Sequence, residues 1–187
     1  NLADLEWVTQ YVMDRGAELL QIHPLEEAGR AAEELVGSRP DRRERDMACI
    51  VSELVRRKTA GTVKIQCDFA SKSLLRDYPN RVVPPYDGDA ANQQLSNLAS
   101  PLVVEWDGTV VPVQFGFARS FELGNIKTES LGRMAQRWRR LGFPVFRNLC
   151  QDVQDLTVSA EFPEIFNWNE VICQAAAKSR LAVKLAG

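Results

Sequence analysis

Histidine is almost missing from this chain: among 187 residues only His23 is one. A metal site built on several histidines is therefore excluded, and a Ser–His–Asp triad has a single imidazole to draw on. Cysteine is sparse too. Cys49, Cys67, Cys150 and Cys173 stand far apart, with no CxxC or CxxxC pair. That is not the spacing of a zinc ribbon or an iron–sulfur site. No apolar run approaches the ~18 residues of a membrane span. The opening Asn1-Leu2-Ala3-Asp4 lacks the basic start and apolar stretch of a secretory signal. Excess positive charge is also lacking: 23 Lys and Arg stand against 25 Asp and Glu, a formal net charge of -2. A strongly basic nucleic-acid surface is not expected, nor is a membrane partner. Scattered thiols without a signal point to a reducing cytoplasm and to mostly buried cysteine side chains. The first residue is not Met, which points to processing or proteolysis.

What is present is globular in character: 45% hydrophobic and 26% charged residues, enough for one ordinary domain or two small ones. Asp4 to Arg15 reads as a helix, with Leu5, Val8, Val12 and Met13 near helical spacing, Asp4 as N-cap and Gly16 as stop. Ala17 to Ile22 reads as a short strand stopped by His23-Pro24. A helix is expected over Glu26 to Val36. Asp41 caps a longer one running to about Lys58, on which Met47, Ile50, Val51, Leu54 and Val55 share a face, with the arginines at 42, 43, 45, 56 and 57 largely elsewhere. Thr62 to Phe69 alternates apolar and polar residues and reads as a strand. Ser71 to Tyr78 reads as a short helix before Pro79.

Residues 79–100 change character. Pro79, Pro84, Pro85, Gly88 and the Asn/Gln/Ser-rich stretch 92–100 read as a linker between a segment at 1–78 and one at 101–187. Beyond it, Leu102 to Trp106, Asp107-Gly108 and Thr109 to Val113 spell a β-hairpin, with Asp-Gly suited to a type I′ turn. Thr128 to Leu141 reads as a helix broken by Pro144, and a last helix is expected from about Asn167 to Leu185.

Two stretches resemble a known family. Leu102 to Leu131, "LVVEWDGTVVPVQFGFARSFELGNIKTESL", is similar to the SPASM-type C-terminal extension of radical SAM enzymes. Such extensions have an apolar strand, an Asp-Gly turn, a second strand ending in Pro-Cys, and a Leu-Gly-Asn-Ile segment before a helix. Leu20 to Ala31, "LQIHPLEEAGRA", resembles a late barrel strand of the same enzymes. The family's cluster cysteine, five positions after the turn glycine, falls here on Val113, which has no donor for iron. Residues 68–149 contain no cysteine, and the later ligand cluster is reduced to Cys150. The CxxxCxxC motif of the radical SAM core is absent as well.

The resemblance implies an α/β fold: late βα units of a partial parallel, TIM-like barrel over 1–78, the linker at 79–100, then a small α+β SPASM-like extension with a hairpin over 101–187. It implies no cofactor in this chain, whereas the parent would bind a 4Fe–4S cluster and S-adenosylmethionine. Expected partners are the missing N-terminal barrel half, a peptide or small-protein substrate, and a second copy covering exposed strand edges. Ile22, His23 and Leu25 then become residues walling the cofactor, since this strand end lies near the adenine in the family. The alternative for His23 is a hydrogen-bonded turn residue. Arg30 is a candidate cation for a carboxylate or phosphate, or else a surface ion-pair partner of Glu26, Glu33 or Glu34.

Gly124-Asn125 is open to an anion-binding reading or to a tight turn. Arg137, Arg139 and Arg140 form a small basic patch or a solvated helix face. Glu105, Asp107 and Glu122 show no separation from which to argue acid–base chemistry. Cys150, close to Arg147, is the thiol to test for reactivity. The expected function is the C-terminal part of a radical SAM iron–sulfur oxidoreductase, inactive alone, its tail contacting substrate or partner peptide. A non-catalytic interaction module that kept the scaffold is the alternative. A hydrolase using His23 or Cys150 lacks any accompanying nucleophile motif.

Overall fold

A computed structural model of the chain describes residues 2–25, 30–85 and 90–179. In chain order its helices are α1 (Leu5–Asp14), α2 (Ala31–Glu34), α3 (Arg42–Thr59), α4 (Lys72–Asp77), α5 (Leu95–Leu98), α6 (Leu131–Thr157) and α7 (Trp168–Lys178). Its strands are β1 (Leu19–Ile22), β2 (Lys64–Cys67), β3 (Phe69–Ser71), β4 (Leu102–Val104), β5 (Thr109–Pro112), β6 (Gly124–Asn125) and β7 (Ile165–Asn167). Two compact units result: Asn1–Ser71 with Pro163–Trp168, and Lys72–Phe162 with Asn169–Gly187. The helix expected over 26–36 falls partly on residues outside those described, as do Gly88 and the end of the helix expected to reach 185.

In the first unit, α1 buries Leu5 and Thr9, whose hydroxyl donates to the Leu5 carbonyl at 2.7 Å. Asp4 does not cap it with its side chain, because a short 3₁₀ turn over Leu2–Asp4 leads in. The start of α3 follows the expectation from sequence. Asp41 accepts from the Glu44 amide, and Glu44 accepts from the Asp41 amide, each at 2.8 Å. This reciprocal cap satisfies two otherwise orphaned donors, and its loss costs about 1 kcal/mol.

β1 and β2 pair in parallel, Leu19 opposite Lys64 through Ile22 opposite Cys67, with α2 and α3 forming the crossover. Leu20, Ile22, Ile65 and Cys67 are half-buried, while Leu19, Gln21, Lys64 and Gln66 between them are exposed.

That alternation overturns the expected partial TIM-like barrel. The sheets hold only two or three strands each, and none is closed or curled. Parallel barrel strands are covered on both faces and read as nearly continuous apolar runs. Here Gln21, Lys64 and Gln66 keep one face polar, so the pair stops at two strands. The chain turns at Asp68, and β3 pairs antiparallel with β7, Phe69 opposite Asn167.

The second unit contains an antiparallel meander in the order β4-β5-β6. All four residues of β5 are buried. The long helix α6 supplies Met134, Trp138, Phe143, Phe146, Leu149 and Val153 to the core, where Phe117, Phe121 and Leu123 meet them. Trp138 lies with its ring centroid 5.7 Å from Phe146 and 5.9 Å from Phe143, and Phe117 meets Phe121 edge-on at 5.6 Å.

The helix break expected at Pro144 does not occur; Pro144 sits inside α6. Proline in a helix interior costs about 3 kcal/mol, but the apolar stripe continues on both sides of it, and burying three or four such side chains at ~1.5–3 kcal/mol each outweighs that cost. After α6 ends, the buried Lys72 ammonium donates to the carbonyls of Ser159 at 2.7 Å and Ala160 at 3.2 Å. Among the described residues, no helix is long and apolar enough to cross a membrane.

Gly142 has no side chain because Trp138 fills the space: a Cβ there would overlap the indole at Cδ1 and Nε1. Gly142→Ala gains about 1 kcal/mol in helix propensity but overpacks a closed core at a cost of about 1–3 kcal/mol. We therefore expect a net loss of up to about 2 kcal/mol in urea unfolding. A more stable variant would show that the Trp138 pocket is slack.

Candidate functional site

Two places gather polar side chains, one in each unit. In the first, parallel register places the residues just beyond β1 and β2 side by side. The Asp68 amide donates to the Ile22 carbonyl at 3.2 Å, and His23 Nδ1 contacts Asp68 Oδ2. The imidazole is more than half exposed, whereas the carboxylate is mostly buried. An Nδ1–H donated to a carboxylate leaves Nε2 as the outward atom of the ring. This is the carboxyl edge of a parallel pair, where α/β folds take ligands. Ile22 and His23 thus both lie at that edge but on opposite faces of the pair, Ile22 beside Cys67 and His23 against Asp68.

Leu25 follows two residues later, next to the undescribed stretch 26–29. Arg30 is elsewhere engaged: its exposed guanidinium binds the Glu34 carboxylate at 2.9 Å. Cys67 lies on the opposite side of β2 from His23, toward α3, with its Sγ 3.8 Å from Ser52 Oγ. A thiol–imidazole dyad between Cys67 and His23 is therefore not formed.

The second place is the hairpin. Only Gly108 in its turn has positive φ, at 90°, so the type I′ expectation fails. The Gly108 amide donates to the Glu105 carbonyl at 2.9 Å and the Glu105 amide to the Thr109 carbonyl at 2.8 Å. The loop is thus the three residues Trp106-Asp107-Gly108, with the glycine as a bulge. Glu105 is the hub of this end of the sheet. Its side chain is only 3% exposed; it accepts from the Gly116 amide at 2.7 Å and pairs with Arg119 at 2.5 Å. Asp107 reaches the same guanidinium at 3.1 Å and Glu122 at 3.9 Å. The three carboxylates whose separation sequence could not give therefore share one cation. Asp107 also accepts from the Thr109 amide at 2.9 Å, and that bond, ahead of the nearby Arg119, holds its carboxyl below the ordinary range.

The loop that Glu105 holds is strained. Val113 has φ of 72°, and the Gln114 amide donates to the Pro112 carbonyl at 2.9 Å, the signature of a γ-turn. A β-branched residue in that region costs about 1–3 kcal/mol and persists only when its surroundings enforce it. The bonds from Val113 N to Pro101 O at 3.1 Å and from Gly116 to Glu105 do so. On this braced frame Trp106 is 84% exposed and Phe115 63% exposed.

Gly124-Asn125 resolves as strand β6 and a turn. Asn125 Nδ2 donates to the Asp107 carbonyl at 3.0 Å and its Oδ1 accepts from the Lys127 amide at 2.9 Å. Arg137 is not a member of a solvated patch, since it binds Glu129 at 2.5 Å and the Leu123 carbonyl at 2.8 Å. Glu105, Arg119 and Asp68 are the residues that sequence reasoning missed as partners. Asp68 had a readable signal, because it and His23 each follow a strand by one residue. Arg119 had none, since the loop from 113 to 119 brings it back.

Burial pushes the Cys150 thiol up to about 12, against a smaller lowering by Arg147. Burial also raises Cys49, with Cys67 adding to the shift. Among the described residues no group of three His, Cys, Asp or Glu side chains is placed to hold a metal ion. No protein-family model, no curated protein and no solved structure matches this chain.

Glu105→Ala leaves the Gly116 amide without its acceptor and Arg119 without its closest carboxylate. A loss of about 1–3 kcal/mol in urea unfolding is expected, with faster amide exchange at Gly116. Glu105→Gln, which keeps an acceptor, should lose less; equal losses would show that charge alone matters. Cys150 gives a pH test. Its folded value of about 12 lies above the ordinary value of 9.0, so its contribution is present below pH ~9 and fades as pH climbs toward 12. Cys150→Ala should flatten that alkaline decline, and alkylation of Cys150 at pH 8 should be far slower in the folded chain than in urea.

Proposed function

We propose that this chain is the C-terminal part of a radical SAM iron–sulfur oxidoreductase, inactive by itself, whose hairpin contacts a substrate or partner peptide. The observation that carries the reading is the fold of residues 102–131. The apolar strand, the Asp-Gly turn, the second strand and the Leu-Gly-Asn-Ile segment build one three-stranded meander leading into α6. Ile22 and His23 at the carboxyl edge of β1 and β2 add support, because that edge suits a nucleotide-like ligand.

An auxiliary iron–sulfur cluster does not fit the residues present. Val113 offers no donor, and Cys150 is a buried neutral thiol. A four-iron cluster takes about four thiolates, so no step is derived through one. S-adenosylmethionine supplies the radical in such enzymes. Leu25 would offer it an apolar contact and His23, held by Asp68, would turn Nε2 toward it as a hydrogen-bonding group, while Ile22 shares the Cys67 face of the pair.

The interaction-module reading has its own support. Trp106 and Phe115 are large, exposed and mounted on a loop braced by Glu105, the kind of rigid aromatic anchor that dominates binding energy.

Expression from the first start codon upstream of the coding sequence separates the two readings. If the first is right, the product carries CxxxCxxC, takes up about four irons on anaerobic reconstitution, and cleaves S-adenosylmethionine. His23→Ala in it weakens S-adenosylmethionine binding while the fold survives. A product without that motif, with no iron uptake, removes the enzyme reading and leaves the module.

A further inference from the structure

Only part of the apolar face of α3 faces inward, with Val55 buried and Val51 half-buried. Its buried residues are Ser52, Val55 and Thr59, while Met47, Ile50 and Leu54 are 44%, 56% and 53% exposed. Arg43 and Arg57, both exposed, continue the same line at its two ends. Residues 43, 47, 50, 54 and 57 are spaced by four, three, four and three, which is the spacing of a helix–helix seam. The seam is therefore three aliphatic side chains closed at each end by a guanidinium. Arg43 has no acidic partner among the described residues. Arg57 shares Glu53 with Arg56, so two guanidinia answer to one carboxylate. The helix as a whole carries six basic and three acidic residues, net +3, in a chain whose net charge is -2.

We propose that this seam docks an amphipathic helix of another protein, with leucine-like residues along its centre and a carboxylate at each end. The charges select that occupant over the alternatives. A second copy lying antiparallel sets Arg43 against its Arg57, and one lying parallel sets Arg43 against Arg43, so like charges meet in both directions. An anionic membrane would accept the arginines, but Asp46 and Glu53 flank the stripe and would face its headgroups. A partner helix with acidic ends satisfies both guanidinia whichever way it runs. The inference concerns a different unit from the hairpin and stands independently of the function proposed above.

The test uses the full chain and a synthetic, dye-labelled helical peptide of about 18 residues with leucines at alternating three- and four-residue spacing and glutamates flanking them. Fluorescence anisotropy should show one-to-one binding that weakens at least fivefold between roughly 50 and 300 mM salt. Ile50→Asp should weaken it by about tenfold or more with an unchanged circular dichroism spectrum. The double change Arg43→Glu and Arg57→Glu should transfer preference to a peptide with lysines in place of the glutamates, an exchange that a merely destabilised helix would not produce. Equal binding of the lysine peptide by the unaltered chain would overturn the proposal. So would indifference to Ile50→Asp, self-association of the chain lost in Ile50→Asp, or tighter binding to phosphatidylserine vesicles than to the acidic peptide.

Discussion

A carboxylate taken out of water governs the second unit. Glu105 is buried at the end of β4, and removing a charge from water is costly unless its lone pairs are matched. Arg119 and the Gly116 amide match them, and both lie in the loop that follows β5. The strand end and the loop are thus bound to one another through a single side chain. The left-handed Val113, the exposed Trp106 and Phe115, and the alignment of Asp107 with Arg119 all depend on where Glu105 puts them. With that carboxylate satisfied, a three-residue turn and a strained γ-turn coexist within a dozen residues.

The same unit shows how packing overrides local preference. Pro144 forfeits a helix hydrogen bond, yet α6 runs through it because Trp138, Phe143 and Phe146 form one aromatic cluster spanning the proline. A residue that signals a stop locally becomes affordable where burial on both sides exceeds the cost of continuing.

Features that depend on near neighbours were legible in the sequence, while those that depend on the chain returning were not. Asp41 announced the start of α3, and the alternation of Thr62 to Phe69 announced a strand, which the chain divides at Asp68 into β2 and β3. The hairpin was visible from its Asp-Gly pair, though the turn type was not, because the pairing of Glu105 with Thr109 sets the loop length. The barrel expectation failed on a signal already present. Gln21, Lys64 and Gln66 make β1 and β2 amphipathic, and amphipathic strands cannot line a structure covered on both faces. The α3 stripe forms one helix face as its spacing says, but only part of it is covered. Met47, Ile50 and Leu54 follow helical spacing faithfully, but spacing cannot say which side of a helix the sheet lies on. Of the site residues, His23 and Ile22 were placed at a strand end from Pro24 alone, whereas Asp68 and Arg119 as partners required three dimensions.

The first unit is sewn shut by its last strand. β3 finds its partner in β7, which the chain reaches only after the whole meander and α6 have been made. A ribosome emitting this polypeptide releases the meander and α6 before that closing edge emerges. Until then β3 is an open template, and the nascent chain depends on the intervening segment folding promptly enough to deliver its own latch.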